Sequence, residues 1–389
     1  MRSIGVAERR ARLAVRHHLA ATARAPTPTE AARGVVALHA TDPASVFLSV
    51  QARTEPVDAA AVERALYEER SLIRLLGMRR TMFVVPVELA PVVQAAATNA
   101  VAVQQRRRYT QVLEAAGIGD GAFLKDVEES TARALAARGE ATGAELSTDE
   151  PRLRTQLLVA EGKPYAARQN ITTRVLLLLA ADGRIVRGRP RGSWTSTQWR
   201  WSPVEAWLPG GMPQMPAEAA HAELVRRWLA AFGPGTAADL RWWTGWTAGQ
   251  VRHALAAVGA VEVDLGGVTG VLLPDDLEPP PEPEPWVSLL PALDPTAMGW
   301  QQRSWYLGPH GPALFDGSGN VGPTVWSDGR IVGGWAQRAD GEVVYRLLED
   351  IGSEPAAAVR AAADRLTAWI GPVRVTPRFR TPLERELTV

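Results

Sequence analysis

The chain has 389 residues, 46% hydrophobic and 22% charged, which is typical of a globular protein with roughly two to four domains. It contains no cysteine, and this excludes disulfides, thiolate metal sites and cysteine nucleophiles. The formal net charge is +1, so any nucleic-acid contact must come from local clusters of basic residues. The six histidines lack metal-ligand spacing, and we expect neither a metal nor another cofactor.

Two features of the sequence bear on its location. Basic residues interrupt the N-terminal stretch at residues 9–17, so it lacks the apolar core of a signal peptide. The longest apolar run, residues 175–181, is far too short for a membrane span. We therefore expect a cytoplasmic protein, associated with the nucleoid if it binds DNA.

Residues 1–118 are predicted to be mostly helical. Apolar residues recur at helical spacing over residues 7–21, and a second helix begins at Pro28, because proline is favoured in a first helical turn. A capped helix follows over residues 58–70, and a β-rich run over residues 78–86 then ends at a proline. Helices followed by a short basic strand indicate a first winged helix.

Residues 119–216 repeat this order. Helices are predicted over residues 123–138, 143–146, 151–159 and 172–181. A hairpin-type turn at Asp182-Gly183 leads into residues 184–201, which are rich in arginine and tryptophan and contain no acidic residue. Two interpretations stay open for this stretch: a wing that rests on DNA phosphates, or a solvated basic loop.

Residues 217–280 show the same pattern a third time. A short helix begins after the Gly/Pro break at residues 232–235, another covers residues 248–258, and residues 261–273 form a hairpin across two glycines. The tryptophans between the helices are interpreted as core residues, with stacking on DNA bases as the alternative: Trp242, Trp243 and Trp246.

An acidic, proline-rich linker at residues 277–285 precedes the C-terminal part of the chain. There, short apolar segments alternate with Gly, Pro, Asp and Asn turns, and a helix is predicted over residues 354–370. The predicted domains are three winged helices and one small β-rich domain, over residues 1–118, 119–216, 217–280 and 281–389.

The segment from Leu38 to Pro43 combines a potential base, a hydroxyl and a carboxylate. The apolar helix before it is expected to end here, and only an unwinding helix end would place His39 and Thr41 in one cleft. Asp42 before Pro43 has the pattern of a helix cap followed by the first helical position. The alternatives to a catalytic role are ordinary packing for His39 and capping alone for Asp42.

The order of these patterns resembles the AlkZ and YcaQ-like DNA glycosylases, a bacterial family of winged helix DNA-binding proteins. The stretches that carry the resemblance are residues 38–43, Arg79 with Thr81, residues 232–245, residues 289–294, Arg303 and residues 328–335. The resemblance implies an α+β fold with three tandem winged helix-turn-helix domains in a C-shape, followed by a small, barrel-like β-rich domain.

The resemblance also implies an activity. Members of the family hydrolyse the N-glycosidic bond of alkylated purines such as N7-alkylguanine in base excision repair, and some act on interstrand crosslinks. Their catalytic motif is Gln-apolar-Gln or Gln-apolar-Asp, where this sequence has His39-Ala40-Thr41, and Phe83 occupies a position where the family often has histidine. We expect His39 to accept the proton of the attacking water, Thr41 to hydrogen-bond that water and Asp42 to supply negative charge. No lysine lies nearby in sequence, so Schiff-base lyase chemistry is not expected.

The expected partner is double-stranded DNA, alkylated or crosslinked, bound by a monomer without membrane contact. The candidate DNA-contacting residues are Arg53, Arg79, Arg80, Thr81, Arg106, Arg107, Arg187, Arg189, Arg191 and Arg200. Each arginine could instead be a structural ion-pair partner or part of a solvated surface.

Two other functions fit the same sequence. The absence of both family glutamines fits a DNA-binding protein without catalysis, such as a lesion sensor or a transcriptional regulator. The near-neutral net charge fits an array of winged helices that contacts other proteins. Base release from a damaged duplex distinguishes the glycosylase from both.

Overall fold

The computed structural model describes residues 1–159 and 167–389, and the predicted α+β class is confirmed. The helices are α1 Val6–Arg16, α2 Pro28–Gly34, α3 Pro43–Gln51, α4 Ala59–Tyr67, α5 Ala90–Val93, α6 Asn99–Ala115, α7 Gly121–Arg138, α8 Gly143–Asp149, α9 Thr172–Ala181, α10 Ala217–Phe232, α11 Ala237–Thr244, α12 Ala248–Ala257, α13 Ser304–Leu307, α14 Gly311–Leu314, α15 Ser353–Ile370 and α16 Pro382–Leu387. The strands are β1 Arg2–Ser3, β2 Leu38–His39, β3 Leu72–Leu76, β4 Met82–Pro86, β5 Ala141–Thr142, β6 Gln156–Val159, β7 Ala167–Asn170, β8 Ile185–Pro190, β9 Trp199–Pro203, β10 Val261–Asp264, β11 Thr269–Leu272, β12 Val287–Leu290, β13 Thr324–Ser327, β14 Arg330–Gln337 and β15 Val343–Leu347. Within this described part of the chain, no helix combines the length and apolarity needed to cross a membrane.

The strands form small sheets that follow one another along the chain. Three sheets have three strands each, in the orders β2-β4-β3, β5-β9-β8 and β1-β10-β11. Strands β12 to β15 form a four-stranded antiparallel sheet in sequence order, and β6 pairs with β7 as a hairpin. The N-terminal strand β1 pairs in parallel with β10, with Arg2 opposite Val263. The first residues of the chain therefore belong to a sheet formed mainly by residues 261–272.

Polar side chains explain where several helices begin. Thr142, Thr236 and Thr247 each form a capping box, in which the cap and the residue three positions later bond each other's backbone. Asp58 and Asp120 cap α4 and α7 by accepting hydrogen bonds from backbone N–H groups in the first turn. These starts are encoded locally in the sequence.

The hydrophobic core is divided unevenly. One large cluster of buried side chains combines residues mainly from the first, third and C-terminal predicted segments, with a few from the second such as Trp194 and Trp207, and Trp228 and Trp326 are fully buried in it. A separate cluster draws on residues 109–201, with Leu113 and Leu179 fully buried. The second predicted segment therefore has a core largely of its own.

Two predicted helices end differently from what their sequence pattern indicated. Helix α2 ends at Gly34, and Leu38–His39 is a short strand paired with β4, so the junction is not an unwinding helix end. Residues 156–159 form β6 and pair with β7 instead of completing a helix. Both predictions were wrong because the periodicity of a short apolar run does not distinguish a helix from a strand.

Candidate functional site

Hydrogen bonds fix the backbone of the junction between β2 and α3 on both sides. His39 lies opposite Phe83 in the sheet, and the Ala40 N–H donates to the Met82 carbonyl at 2.8 Å. The Ala40 carbonyl accepts a 3.0 Å hydrogen bond from Nη1 of Arg74, a residue of β3. The peptide that carries the proposed catalytic side chains is therefore held in one conformation.

His39 is a neutral, half-buried base at this junction. Its ring packs edge-on against Phe83 with 5.4 Å between the ring centroids. Its Nδ1 is buried and has no hydrogen-bond partner among the described residues. Burial, and secondarily the charge of Arg79, lower the pKa of His39 to about 3. At neutral pH the ring therefore carries a single proton and keeps one nitrogen as a hydrogen-bond acceptor.

Asp42 is the N-cap of α3, and both of its carboxylate oxygens have backbone partners. Oδ1 accepts from the N–H of Ala44 at 3.1 Å, and Oδ2 accepts from the N–H of Arg378 at 3.0 Å. Burial raises the pKa of Asp42, and the two hydrogen bonds oppose that shift because they stabilise the carboxylate. Thr41, the preceding residue, is half-buried. The expected cap is confirmed, and a catalytic role for Asp42 stays a prediction.

Two arginines stack on Trp199 next to the junction. The guanidinium carbon of Arg74 lies 4.3 Å from a ring centroid of this side chain, and that of Arg187 lies 5.8 Å away. Arg74 is only 3% exposed, and the buried Tyr67 hydroxyl lies near it. The Nε and Nη2 of Arg74 form no hydrogen bond of normal geometry among the described residues. Burial, and then the charges of Arg74 and Arg378, lower the pKa of Arg187 to about 10, which leaves it charged at neutral pH. The surroundings of the junction are therefore positively charged.

The tight turn between β3 and β4 contains two consecutive arginines in the left-handed region. Arg79 and Arg80 have φ angles of 52° and 60°, a conformation that costs an L-residue roughly 1–2 kcal/mol. The guanidinium carbon of Arg79 lies 4.3 Å from a ring centroid of Trp242, and that of Arg303 lies 4.8 Å from the same side chain. Backbone strain of this kind concentrates at functional sites. Here it lies where the first, third and C-terminal segments meet.

One family of known proteins matches most of this chain. The sequence model of the family described as DNA glycosylase AlkZ-like matches residues 32–369. The chain belongs to the AlkZ-like DNA glycosylase family. The fold is similar to that of the Streptomyces sahachiroi DNA glycosylase AlkZ, with a TM-score of 0.72 and 21% sequence identity over 94% of this chain and 97% of that one. No curated protein matches the sequence.

Membership in this family confirms the resemblance and supports, at the level of the family, a DNA glycosylase role with DNA as the substrate. The AlkZ-like chain differs from the expected motif at the junction, where His39 and Thr41 replace the two glutamines. The structure places both side chains beside the backbone-fixed strand β2. Any chemistry of the junction therefore depends on His39, Thr41 and their neighbours.

The predicted DNA-contacting residues of this AlkZ-like chain lie in different environments. Four arginines are exposed and have no ion pair among residues 1–159 and 167–389: Arg79, Arg80, Arg107 and Arg191. Three others form ion pairs: Arg106 with Glu128 and Asp182, Arg189 with Glu63 and Glu68, and Arg200 with Glu140. Arg187 is stacked on Trp199, and Thr81 is half-buried after the strained turn. Since ion pairs between half-exposed side chains are weak, Arg189 and Arg200 can exchange their partners for phosphate. Arg106 is held more firmly, because its partner Glu128 is buried.

Arg53 requires a correction. It is fully buried, and its two Nη atoms donate to the two carboxylate oxygens of Asp294 at 2.8 and 2.6 Å. Its Nη2 also donates to the Thr296 hydroxyl at 2.7 Å. With no exposed surface and an internal anion as partner, Arg53 cannot contact a DNA phosphate. The prediction was wrong because the partner lies far away in the sequence.

Sequence reasoning missed several residues of the site. Trp243 and Trp246 are buried as expected, whereas Trp242 is half-buried between two arginines. Arg74 had a readable signal, because a charged residue within the apolar strand Leu72–Leu76 must have either a buried partner or a function. Arg378 contacts Asp42 through its backbone N–H, which no side-chain pattern encodes.

Proposed function

We propose that this AlkZ-like chain is a monofunctional DNA glycosylase that hydrolyses the N-glycosidic bond of alkylated purines in base excision repair. The proposed lesion is N7-alkylguanine, including the form present in an interstrand crosslink. One observation carries the proposal: a neutral imidazole, that of His39, lies at a backbone-fixed junction close to positively charged arginines.

The chemistry of this lesion suits the junction. An N7-alkylguanine is cationic, so the base leaves with the bonding electron pair and becomes neutral without being protonated. Positive charge develops at C1′ of the sugar, where water adds and loses one proton. His39 accepts a hydrogen bond from this water and takes the proton as the new C–O bond forms. A pKa of about 3 suffices for His39, because water bound to a carbocation is far more acidic than free water.

Thr41 and Asp42 complete the proposed site. The Thr41 hydroxyl offers the attacking water a second hydrogen-bond partner. The Asp42 carboxylate is stabilised by the N–H groups of Ala44 and Arg378, and its negative charge favours the developing sugar cation. Because these partners are backbone groups, the charge is in place before the lesion binds.

We place the DNA-binding surface on three winged helices, residues 1–118, 119–216 and 217–280, arranged as a C and followed by a barrel-like β-rich domain. Each three-stranded sheet adjoins helices, which supports this division except at residues 2–3, because strand β1 pairs with β10 of the third winged helix. The phosphate contacts come from the exposed arginines and, after exchange of their ion pairs, from Arg189 and Arg200, with Arg106 reaching DNA only if it leaves the buried Glu128. The enzyme acts as a monomer without a cofactor.

A duplex with a single N7-methylguanine tests this function. We expect the full-length protein, in excess over the duplex, to release the base and leave an abasic site that alkaline cleavage reveals. The variant His39→Ala should lower the rate of release by about 10²–10⁴-fold without weakening DNA binding. The control is His310→Ala, which should retain the full rate. It alters another half-buried histidine, which lies in the C-terminal segment. An unchanged rate for His39→Ala would refute the mechanism.

The loss of both family glutamines favours a second candidate, a DNA-binding protein without catalysis that acts as a lesion sensor or a transcriptional regulator. In that case the same duplex, or a crosslinked one, is bound in a salt-sensitive manner and no base is released. The absence of any salt-sensitive binding would instead indicate an array used for protein contacts.

A further inference from the structure

A pocket of about 450 Å³ lies between α6, α9 and β6, away from the junction itself. Its lining includes three exposed arginines, Arg80, Arg108 and Arg174. None of these arginines forms an ion pair within residues 1–159 and 167–389, and no described lining residue is acidic. Arg106, two positions before Arg108 on α6, pairs with Glu128 and does not line the pocket. Uncompensated positive charge is therefore concentrated in this cavity.

A buried hydroxyl without a partner also lines the pocket. Tyr109 is 7% exposed, and its hydroxyl has no hydrogen-bond partner in the described chain. Burial raises the pKa of Tyr109 to about 12, so the hydroxyl keeps its proton and can donate it. A buried donor of this kind is unfavourable unless a ligand supplies the acceptor.

The elements around the pocket connect it with the junction. Arg80 belongs to the strained turn before β4, and β4 pairs with β2 at His39. Arg79, its neighbour in that turn, stacks on Trp242 instead. The two left-handed residues thus send their side chains to different neighbours, and the position of Arg80 is coupled to that of the paired strands.

We infer that this pocket binds one phosphodiester group of the DNA backbone and so sets the position of the duplex relative to the junction, an inference that rests on the proposed function. The guanidinium groups supply the charge and the planar donor geometry that phosphate oxygens accept. The Tyr109 hydroxyl supplies one further donor, and Leu157 and Leu177 add apolar surface to the lining.

The salt dependence of DNA binding tests this site. Binding of a labelled, undamaged duplex to the full-length protein is measured by fluorescence anisotropy between 50 and 200 mM salt. Over this range the affinity of a protein that contacts many phosphates falls by about 10³–10⁵-fold. The double variant Arg108→Gln, Arg174→Gln should reduce the slope of log Kd against log salt by about 1 and weaken binding by about 10-fold. Tyr109→Phe should weaken binding by about 5-fold with an unchanged slope, because it removes a donor and no charge. Arg360→Gln, an exposed arginine on α15, is the control and should match the wild type.

The possible outcomes separate the inference from the proposed function. If the wild type binds DNA in a salt-dependent manner and the double variant keeps the same slope, the phosphate site is refuted and the proposed function is not. If the wild type shows no salt-dependent binding, the proposed function itself fails. Saturable binding of inorganic phosphate that does not compete with the duplex would identify a site for free phosphate and would also refute the inference. The circular dichroism spectrum of Tyr109→Phe shows whether the fold is intact.

Discussion

Arg53 and Arg74 are both buried, and the fold uses their guanidinium groups in opposite ways. The Nη atoms of Arg53 donate to both carboxylate oxygens of Asp294, so its charge is neutralised inside the protein. Arg74 donates from Nη1 to the Ala40 carbonyl, while its Nε and Nη2 have only the Tyr67 hydroxyl nearby and form no hydrogen bond of normal geometry in the described chain. One arginine therefore connects two distant segments of the chain, and the other leaves spare donors next to the proposed active site.

The difference shows how to interpret a buried cation. A buried ion pair with matched geometry is part of the framework, since removing one partner leaves the other charge without compensation. A buried cation with spare donors is unfavourable in the free protein, and an anionic substrate can supply the missing acceptor. The three predictions that follow test this distinction through the free energy of unfolding.

The largest effect is expected when the framework pair is broken. Arg53→Gln leaves Asp294 fully buried without its cation, and we expect the apparent free energy of unfolding to fall by about 3–5 kcal/mol. Urea denaturation at neutral pH measures the change. The control is Arg138→Gln, which removes an exposed ion pair with Asp149 and should cost less than about 1 kcal/mol. A similarly small loss for Arg53→Gln would reopen a role for this arginine outside the framework.

His39 avoids the problem of a buried charge by remaining neutral, and this predicts a pH dependence. Its pKa is about 3 in the folded protein and about 6.5 in the unfolded chain, so the unfolded state binds more protons below pH 6.5. The contribution of His39 to the free energy of unfolding is fully present above pH 6.5, and it is lost as the pH falls towards 3. Between pH 7 and pH 5 the loss amounts to at most about 2 kcal/mol.

The variant His39→Gln restores the carboxamide of the family motif, and its side chain does not titrate. Between pH 7 and pH 5 its free energy of unfolding should therefore fall by up to about 2 kcal/mol less than that of the wild type. Urea denaturation of both proteins at the two pH values gives the difference, in which the contributions of the other histidines cancel. Parallel curves for the two proteins would show that His39 is not held neutral by burial.

Local signals made part of this fold predictable from the sequence. The hairpin over residues 261–273 is present as β10 and β11, because its two glycines favour a tight turn between alternating apolar residues. Helix α9 has the predicted bounds, and α12 begins at the predicted residue after a capping box. Where periodicity and caps agree within a short window, the chain folds as its pattern indicates.

The candidate site depends on contacts between distant residues and was less predictable. Asp294 lies 241 positions from Arg53, and the N–H of Arg378 that bonds Asp42 lies 336 positions away. The two-residue strand at His39 exists only because β4 is beside it. The sequence identified the polar residues of the junction but not their partners, because only the tertiary fold brings those partners together.

The smallest change in stability is expected for Arg74→Met. This variant is also the sharpest test of the difference between Arg53 and Arg74. It removes the hydrogen bond to Ala40 together with the two donors that form no hydrogen bond of normal geometry, so we expect the free energy of unfolding to change by less than about 1 kcal/mol. Base release should nevertheless slow by about 10-fold or more, because no guanidinium remains to hold an anionic group of the DNA beside the junction or to favour the ionised form of Asp42. Urea denaturation and single-turnover base release measure the two effects on the same protein.

The pH profile of base release separates a role in positioning from a structural one. The charge of Arg74 favours the ionised form of Asp42, so its loss raises the pKa of Asp42 further, and the acid side of the profile should move to higher pH in Arg74→Met. Arg74→Lys keeps the charge without the planar fork; it should restore the profile but not the full rate. If Arg74→Met instead unfolded as easily as Arg53→Gln, the two arginines would be equivalent parts of the framework, and the spare donors of Arg74 would have no function in the site.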